Sequence, residues 1–341
     1  MMETTQFNHR RVANLSIGSS WVDLIGILYA LILALLVQLP ISALASSTQI
    51  WFAPMDWFVR PWVGYGGSTD YMALFQPESA DPSLSRVAVF KVYSQFVEWA
   101  KDDDLRRIFA ELKRRHIVLA METGMITASE RCGRSVEGYG GEGAAAQAAR
   151  IAQLGGDLAY IAMDEPAFYG HHFSGANACH ADLTDIARDA AKNFAAVRAV
   201  FPQIRAGDLE PVEPSPDDSL IEEYARWADA YRAATGEPLA FFHADVQWKE
   251  SWRGPLEKLA VALHDRKIPL GVIYNGNDDD SSDAAWVAHA EAHYHAVEVD
   301  SGIAPDQAVF QSWVSHPGRL LPDTDPGAFT HLLNRYHQAA P

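Results

Sequence analysis

The chain has 341 residues, of which 44 are acidic and 27 basic, giving a formal net charge of -17 at pH 7. That balance argues against a protein that grips nucleic acid phosphates or an anionic bilayer, and suits one acting on neutral or cationic molecules. With 48% apolar residues the chain can bury a large core, and its length suits a single α/β barrel.

Residues 1–45 read as an export signal. Arg10 and Arg11 precede an apolar run from Trp21 to Ala45, which closes on Ala43-Leu44-Ala45 before Ser46. A basic start, an apolar middle and small residues at the end are the layout of a cleaved signal peptide. The competing reading is an uncleaved anchor, because ~20 apolar residues can span a bilayer. Either way the expectation is a secreted or periplasmic protein that touches membrane only through this segment. Residues 46–341 are then the catalytic domain. Cys132 and Cys179 are the only cysteines. An even count in an oxidising compartment predicts one disulfide, joining the loops that follow the third and fourth strands.

Short β-rich runs recur along the rest of the chain: QIWFAP, VAVFKVY, IVLAMETG, LAYIAMDEP, IRAGDLEP, LAFFHADVQW, PLGVIYNGN and AVFQSWVSHP. Helical patterns separate them. In DDDLRRIFAELKRRH, Asp102 to Asp104 supply a cap and first-turn negative charge, and Leu105, Ile108, Phe109 and Leu112 form an apolar stripe. EGAAAQAARIAQLGG stops on Gly155 and Gly156, and SLIEEYARWADAYRAATG and DAAWVAHAEAHYHAV repeat the pattern. Strands alternating with helices predict parallel strands with right-handed crossovers, hence a (β/α)8 barrel. The alternative, an open doubly wound sheet, lacks a G-x-G-x-x-G turn after the first strand.

In a barrel the C-terminal strand ends form the active face. Polar residues gather there: Glu122 after strand three, Asp164 and Glu165 after four, Asp208 and Glu210 after five. Strand six ends in His243, Asp245, Gln247 and Trp248, strand seven in Tyr274 and Asn275, and strand eight in Gln311, Ser312 and Trp313. Carboxylates among indoles suit sugar chemistry, in which one carboxyl group protonates the leaving oxygen and another attacks carbon or activates water.

The sequence MDEP at the end of strand four resembles the NEP motif of the large clan of retaining barrel glycosidases. The resemblance implies that Glu165 is the general acid/base, with Asp164 where that clan has Asn, and that Trp313 is a substrate platform. The clan's nucleophile is a Glu ending strand seven, where this chain has Asn275. The second carboxylate must come from elsewhere. Adjacent strands lie ~4.8 Å apart, which favours Glu210 as a retaining partner, with Asp245 second as an inverting one. Asp164, Asp208, Glu122, Trp248, Tyr274, Asn275, Gln311 and Trp313 are the expected substrate-binding residues.

Plainer roles compete. Asp164 and Asp208 could bond loops, Glu122 could pair with a buried Lys91, and the tryptophans could be core. His171, His172 and His180 match no ligand spacing, and NGNDDDSSD lacks that of a calcium loop, so no metal or cofactor is expected. The leading function is an exported glycoside hydrolase acting on a poly- or oligosaccharide. The alternatives are a magnesium-dependent enolase-type lyase or epimerase using Glu165, Glu210 and Asp245, and a carbohydrate-binding barrel without catalysis.

Overall fold

A computed structural model describes residues 48–57, 66–76, 82–214 and 219–339. The expectations for residues 1–45 lie outside the described residues. The runs singled out above become eight parallel strands: β1 (Gln49–Ala53), β2 (Val89–Tyr93), β3 (Val118–Thr123), β4 (Leu158–Asp164), β5 (Arg205–Val212), β6 (Phe242–Val246), β7 (Leu270–Ile273) and β8 (Gln307–Gln311). Each pairs with its neighbours in sequence, and β8 closes on β1 through pairs such as Trp51 with Val309, so the sheet is a (β/α)8 barrel.

The helices on the outside are α1 (Ser94–Trp99), α2 (Asp102–Arg114), α3 (Gly141–Gln153), α4 (Leu183–Val200), α5 (Ser219–Thr235), α6 (Arg253–Arg266), α7 (Asp283–Tyr294) and α8 (Phe329–Ala339). In α2 the predicted stripe is buried against the barrel. Its cap differs from expectation. Lys101 holds the cap position without a side-chain bond, and Asp102 to Asp104 occupy the first turn, where the helix dipole favours their charge. No described helix is long and apolar enough to cross a membrane.

The pleat decides which strand residues can reach the mouth. Trp51, Val89, Ala120, Ala162, Leu209, Phe241, Ile273 and Val309 fill the barrel interior as one packed layer. Two residues further along several of these strands stand Lys91, Glu122, Asp164, Pro211 and Gln311, and Asp245 stands four beyond Phe241. A polar tier therefore rests on an apolar plug. The alternate residues, such as Phe90, Met121, Met163 and Ala244, face the helices and form the outer core.

Candidate active site

A cavity of about 530 Å³ opens over the C-terminal strand ends. Its floor is formed by Glu122, Asp164, Pro211 and Gln311 of the polar tier. Lys91, with no exposed surface, bonds Glu122 and donates to Gln311 Oε1 at 2.5 Å, while Gln311 Nε2 donates to Glu122 Oε1 and Oε2 at 3.1 and 2.9 Å. Glu122 both lines the cavity and makes the ion pair with Lys91 expected of it. Trp313 forms part of the wall, and Tyr93, which donates to the Ser312 carbonyl at 2.8 Å, stands nearby.

Asp164 is the last residue of β4 and points inward by the pleat, so a regular strand would turn Glu165 away. The backbone prevents that. Glu165 adopts φ +48°, a left-handed conformation costly for a residue with a Cβ, and both carboxyl groups line the cavity. The kink is held by Glu165 N–H donating to the Leu209 carbonyl at 3.0 Å, and by Tyr169 N–H donating back to the Glu165 carbonyl at 3.0 Å. Glu165 is only 7% exposed and Asp245, from β6, only 8%. Among the described residues neither carboxyl group has a hydrogen bond or ion pair.

All three groups are held above the usual carboxylate range. Burial raises Glu165 well above the usual carboxylate range, with Asp245, Glu137 and Asp164 adding repulsion. Burial likewise raises Asp164, reinforced by Glu122 and Glu137 and opposed by Lys91. Asp245 is pushed up to about 8 by burial first and by Asp278, Glu137 and Glu122 after it.

The β5 carboxylates are not where the sequence reading put them. Leu209 and Pro211 take the inward positions of β5 and line the cavity, which turns Asp208 and Glu210 toward the helices. Asp208 Oδ2 accepts from the Trp227 indole of α5 at 2.6 Å. Glu210, fully buried, accepts from the Ala167 and Phe168 amides at 2.7 and 2.9 Å. It ties down the helical turn Phe168–His172 that follows Glu165, and does not border the cavity.

Strand seven brings a second correction. Tyr274 is buried in the outer layer, donates to Glu298 Oε1 at 2.7 Å, and packs near Tyr294 and Tyr336. Trp248 stacks on His293 at 4.1 Å between ring centroids and donates to Asn275 Oδ1 at 2.6 Å. These three side chains brace one another outside the cavity.

Three acidic residues that sequence reasoning passed over do line it: Glu213, directly after β5, and two on loops. Glu137, on the loop after β3, accepts a hydrogen bond from the Tyr169 hydroxyl. Gly138 makes that placement possible. It has φ +83°, and a Cβ there would sit 3.1 Å from the Asp164 and Glu165 carbonyl oxygens. Asp278, on the loop after β7, is the other, within the acidic run set aside as a solvated loop. The predicted disulfide is present: Cys132 and Cys179 are bonded, their Cα atoms 5.1 Å apart, joining the loops after β3 and β4. Those loops carry Glu137 and Tyr169.

No protein-family model matches the sequence, and no curated protein matches it. Among solved structures the barrel is similar to the GH53 catalytic domain of Ignisphaera aggregans, with a TM-score of 0.51 at 11% identity, covering 86% of this chain and 98% of that one. Further similar structures include the carboxyl transferase domain of Rhizobium etli pyruvate carboxylase (TM-score 0.46, 10% identity, 86% and 46% covered). Another is phospho-2-dehydro-3-deoxyheptonate aldolase of Thermotoga maritima (TM-score 0.44, 10% identity, 87% and 70% covered). At 11% identity the likeness to the GH53 domain is one of fold.

Proposed function

We propose that the protein hydrolyses a glycosidic bond, with Glu165 as general acid and Asp245 as its partner base. One observation carries this reading: two buried carboxyl groups, without a hydrogen bond or ion pair among the described residues, face the same cavity beside Trp313. A sugar ring lies against the indole. Glu165, raised above the usual carboxylate range by burial and by its acidic neighbours, gives its proton to the leaving oxygen as the C–O bond breaks. Asp245 in its ionised form takes a proton from the water that attacks the anomeric carbon from the opposite face. The pair sits on β4 and β6 with β5 between, so two strand spacings of ~4.8 Å each separate the strands. That suits an inverting pair with room for water, in place of the retaining Glu165–Glu210 pair expected from sequence. The GH53 catalytic domain among the similar structures shows that this barrel fold can carry a glycoside hydrolase, without bearing on inversion or retention.

The lyase reading needs Glu210 as a third metal carboxylate, and both Glu210 oxygens are engaged by backbone amides. Glu165→Gln and Asp245→Asn, assayed on a panel of glycans, each lose at least about 10²–10⁴-fold in turnover while staying folded and able to bind. Near-normal turnover in either variant overturns the assignment. Binding by the wild type with no cleavage of any glycan would leave the barrel a carbohydrate-binding protein.

A further inference from the structure

An acid and a base account for two of the carboxyl groups in the cavity, and Lys91 neutralises a third, Glu122. Glu137, Asp164, Glu213 and Asp278 remain, lining the same space. No Lys, Arg or His lines it among the described residues. Lys249, whose charge acts on Asp278, is bonded to Asp279 and does not line the cavity. Unpaired like charges at a partly desolvated site are costly, and proteins keep them where a ligand compensates the cost. Among the described residues no side chain pairs with the buried carboxyl groups of Asp245 and Glu165, so no partner there offsets the cost.

The spatial pattern identifies the compensating ligand. The carboxylates come from separate strand ends and loops around the mouth, and among the described residues no three acidic, His or Cys groups are gathered so that they could hold a metal ion. Charge spread along a cleft fits positive groups repeated along a chain. Tyr93, Phe168, Tyr169 and Trp313 line the same walls, offering faces to sugar rings and to cations alike. The net charge of -17 draws cations toward the mouth.

We infer that the substrate is a glycan whose sugars carry protonated amino groups, received by Glu137, Asp164 and Asp278. The glycan part rests on the proposed hydrolase function; the recognition of amines rests on the cavity's carboxylates. An ammonium group placed among these acids favours their ionised forms, so binding releases protons from the cluster.

The test uses the full chain carrying Glu165→Gln, so that binding is measured without turnover. Hexamers of β-1,4-linked and β-1,6-linked glucosamine, each beside its fully N-acetylated twin, are titrated by calorimetry at about pH 7. At least one free-amine hexamer binds about tenfold or more tightly than its twin, with protons released to the buffer. The preference weakens between about 50 mM and about 500 mM salt. Adding Glu137→Gln and Asp278→Asn narrows it to within about threefold, in protein whose circular dichroism is unchanged. Equal or weaker binding of every amine form, including no binding by any hexamer, overturns the inference. So does uptake of calcium ion by the cavity with no preference among the sugars. Parallel cleavage assays with the wild type separate the two proposals. Hydrolysis without amine preference removes the inference and keeps the hydrolase; amine preference without hydrolysis of any glycan does the reverse.

Discussion

Replacing Asp245 by Asn should stabilise the protein in neutral solution while removing its activity. Asp245 is 8% exposed and makes no hydrogen bond or ion pair among the described residues, and its carboxyl group is raised from 3.8 to about 8. The folded state therefore holds a proton that the unfolded chain releases. Between about pH 4 and about pH 8 the folded state binds more protons than the unfolded one, so stability falls as pH rises. One proton corresponds to about 1.4 kcal/mol per pH unit across that window. Asp164, Glu165, Asp208 and Glu210 are also held above the usual carboxylate range by burial and contribute with the same sign. Urea unfolding at intervals from about pH 5 to about pH 8 measures the slope. The wild type should be most stable at the acidic end. The Asn variant should show a slope shallower by about one proton and higher stability near pH 8. A wild-type stability that rises through this window, or an unchanged slope in the variant, would refute the reasoning.

Other outcomes follow from the same geometry. Glu210→Gln replaces an oxygen facing a backbone amide with a donor, so it should cost about 1–3 kcal/mol in urea unfolding, whereas a role in chemistry alone would leave stability intact. Serine at both Cys132 and Cys179 opens a loop of sequence separation 47 and should cost about 2–4 kcal/mol, with reductant producing the same loss in the wild type. Trp313→Ala should weaken glycan binding by about 1–3 kcal/mol, while Trp248→Phe should lower the melting temperature and leave binding by the folded protein unchanged. The reverse pattern would exchange the roles given to the two indoles.

All eight strands were legible because each is a β-rich run set off by helical patterns, and closure follows from their order. The inward or outward sense of each strand residue was harder to read. A parallel barrel strand is buried on both faces, so alternation of polarity, the usual guide, is erased. In AGDLEPV the polar Asp208 and Glu210 looked like mouth residues, but Gly207, Leu209 and Pro211 hold the inward phase, leaving the carboxylates to the Trp227 indole and to backbone amides. Tyr274 is outward for a similar reason, since Ile273 is the inner residue of its pair. Glu165 reaches the cavity through a left-handed backbone that no glycine announces. Glu137 and Asp278 lie on loops, where spacing carries no facial information. A possible signal for Glu137 was the adjacent Gly138, which lets the loop cross close over the β4 end.

The central claim, acid–base hydrolysis by Glu165 and Asp245, is tested most directly by proton NMR of a glycan being cleaved, read before the anomers equilibrate. The account predicts a first-formed product of inverted configuration, slowed at least about 10²-fold in both Glu165→Gln and Asp245→Asn. A retained configuration, or an Asp245→Asn enzyme that still turns over at the wild-type rate, would contradict it.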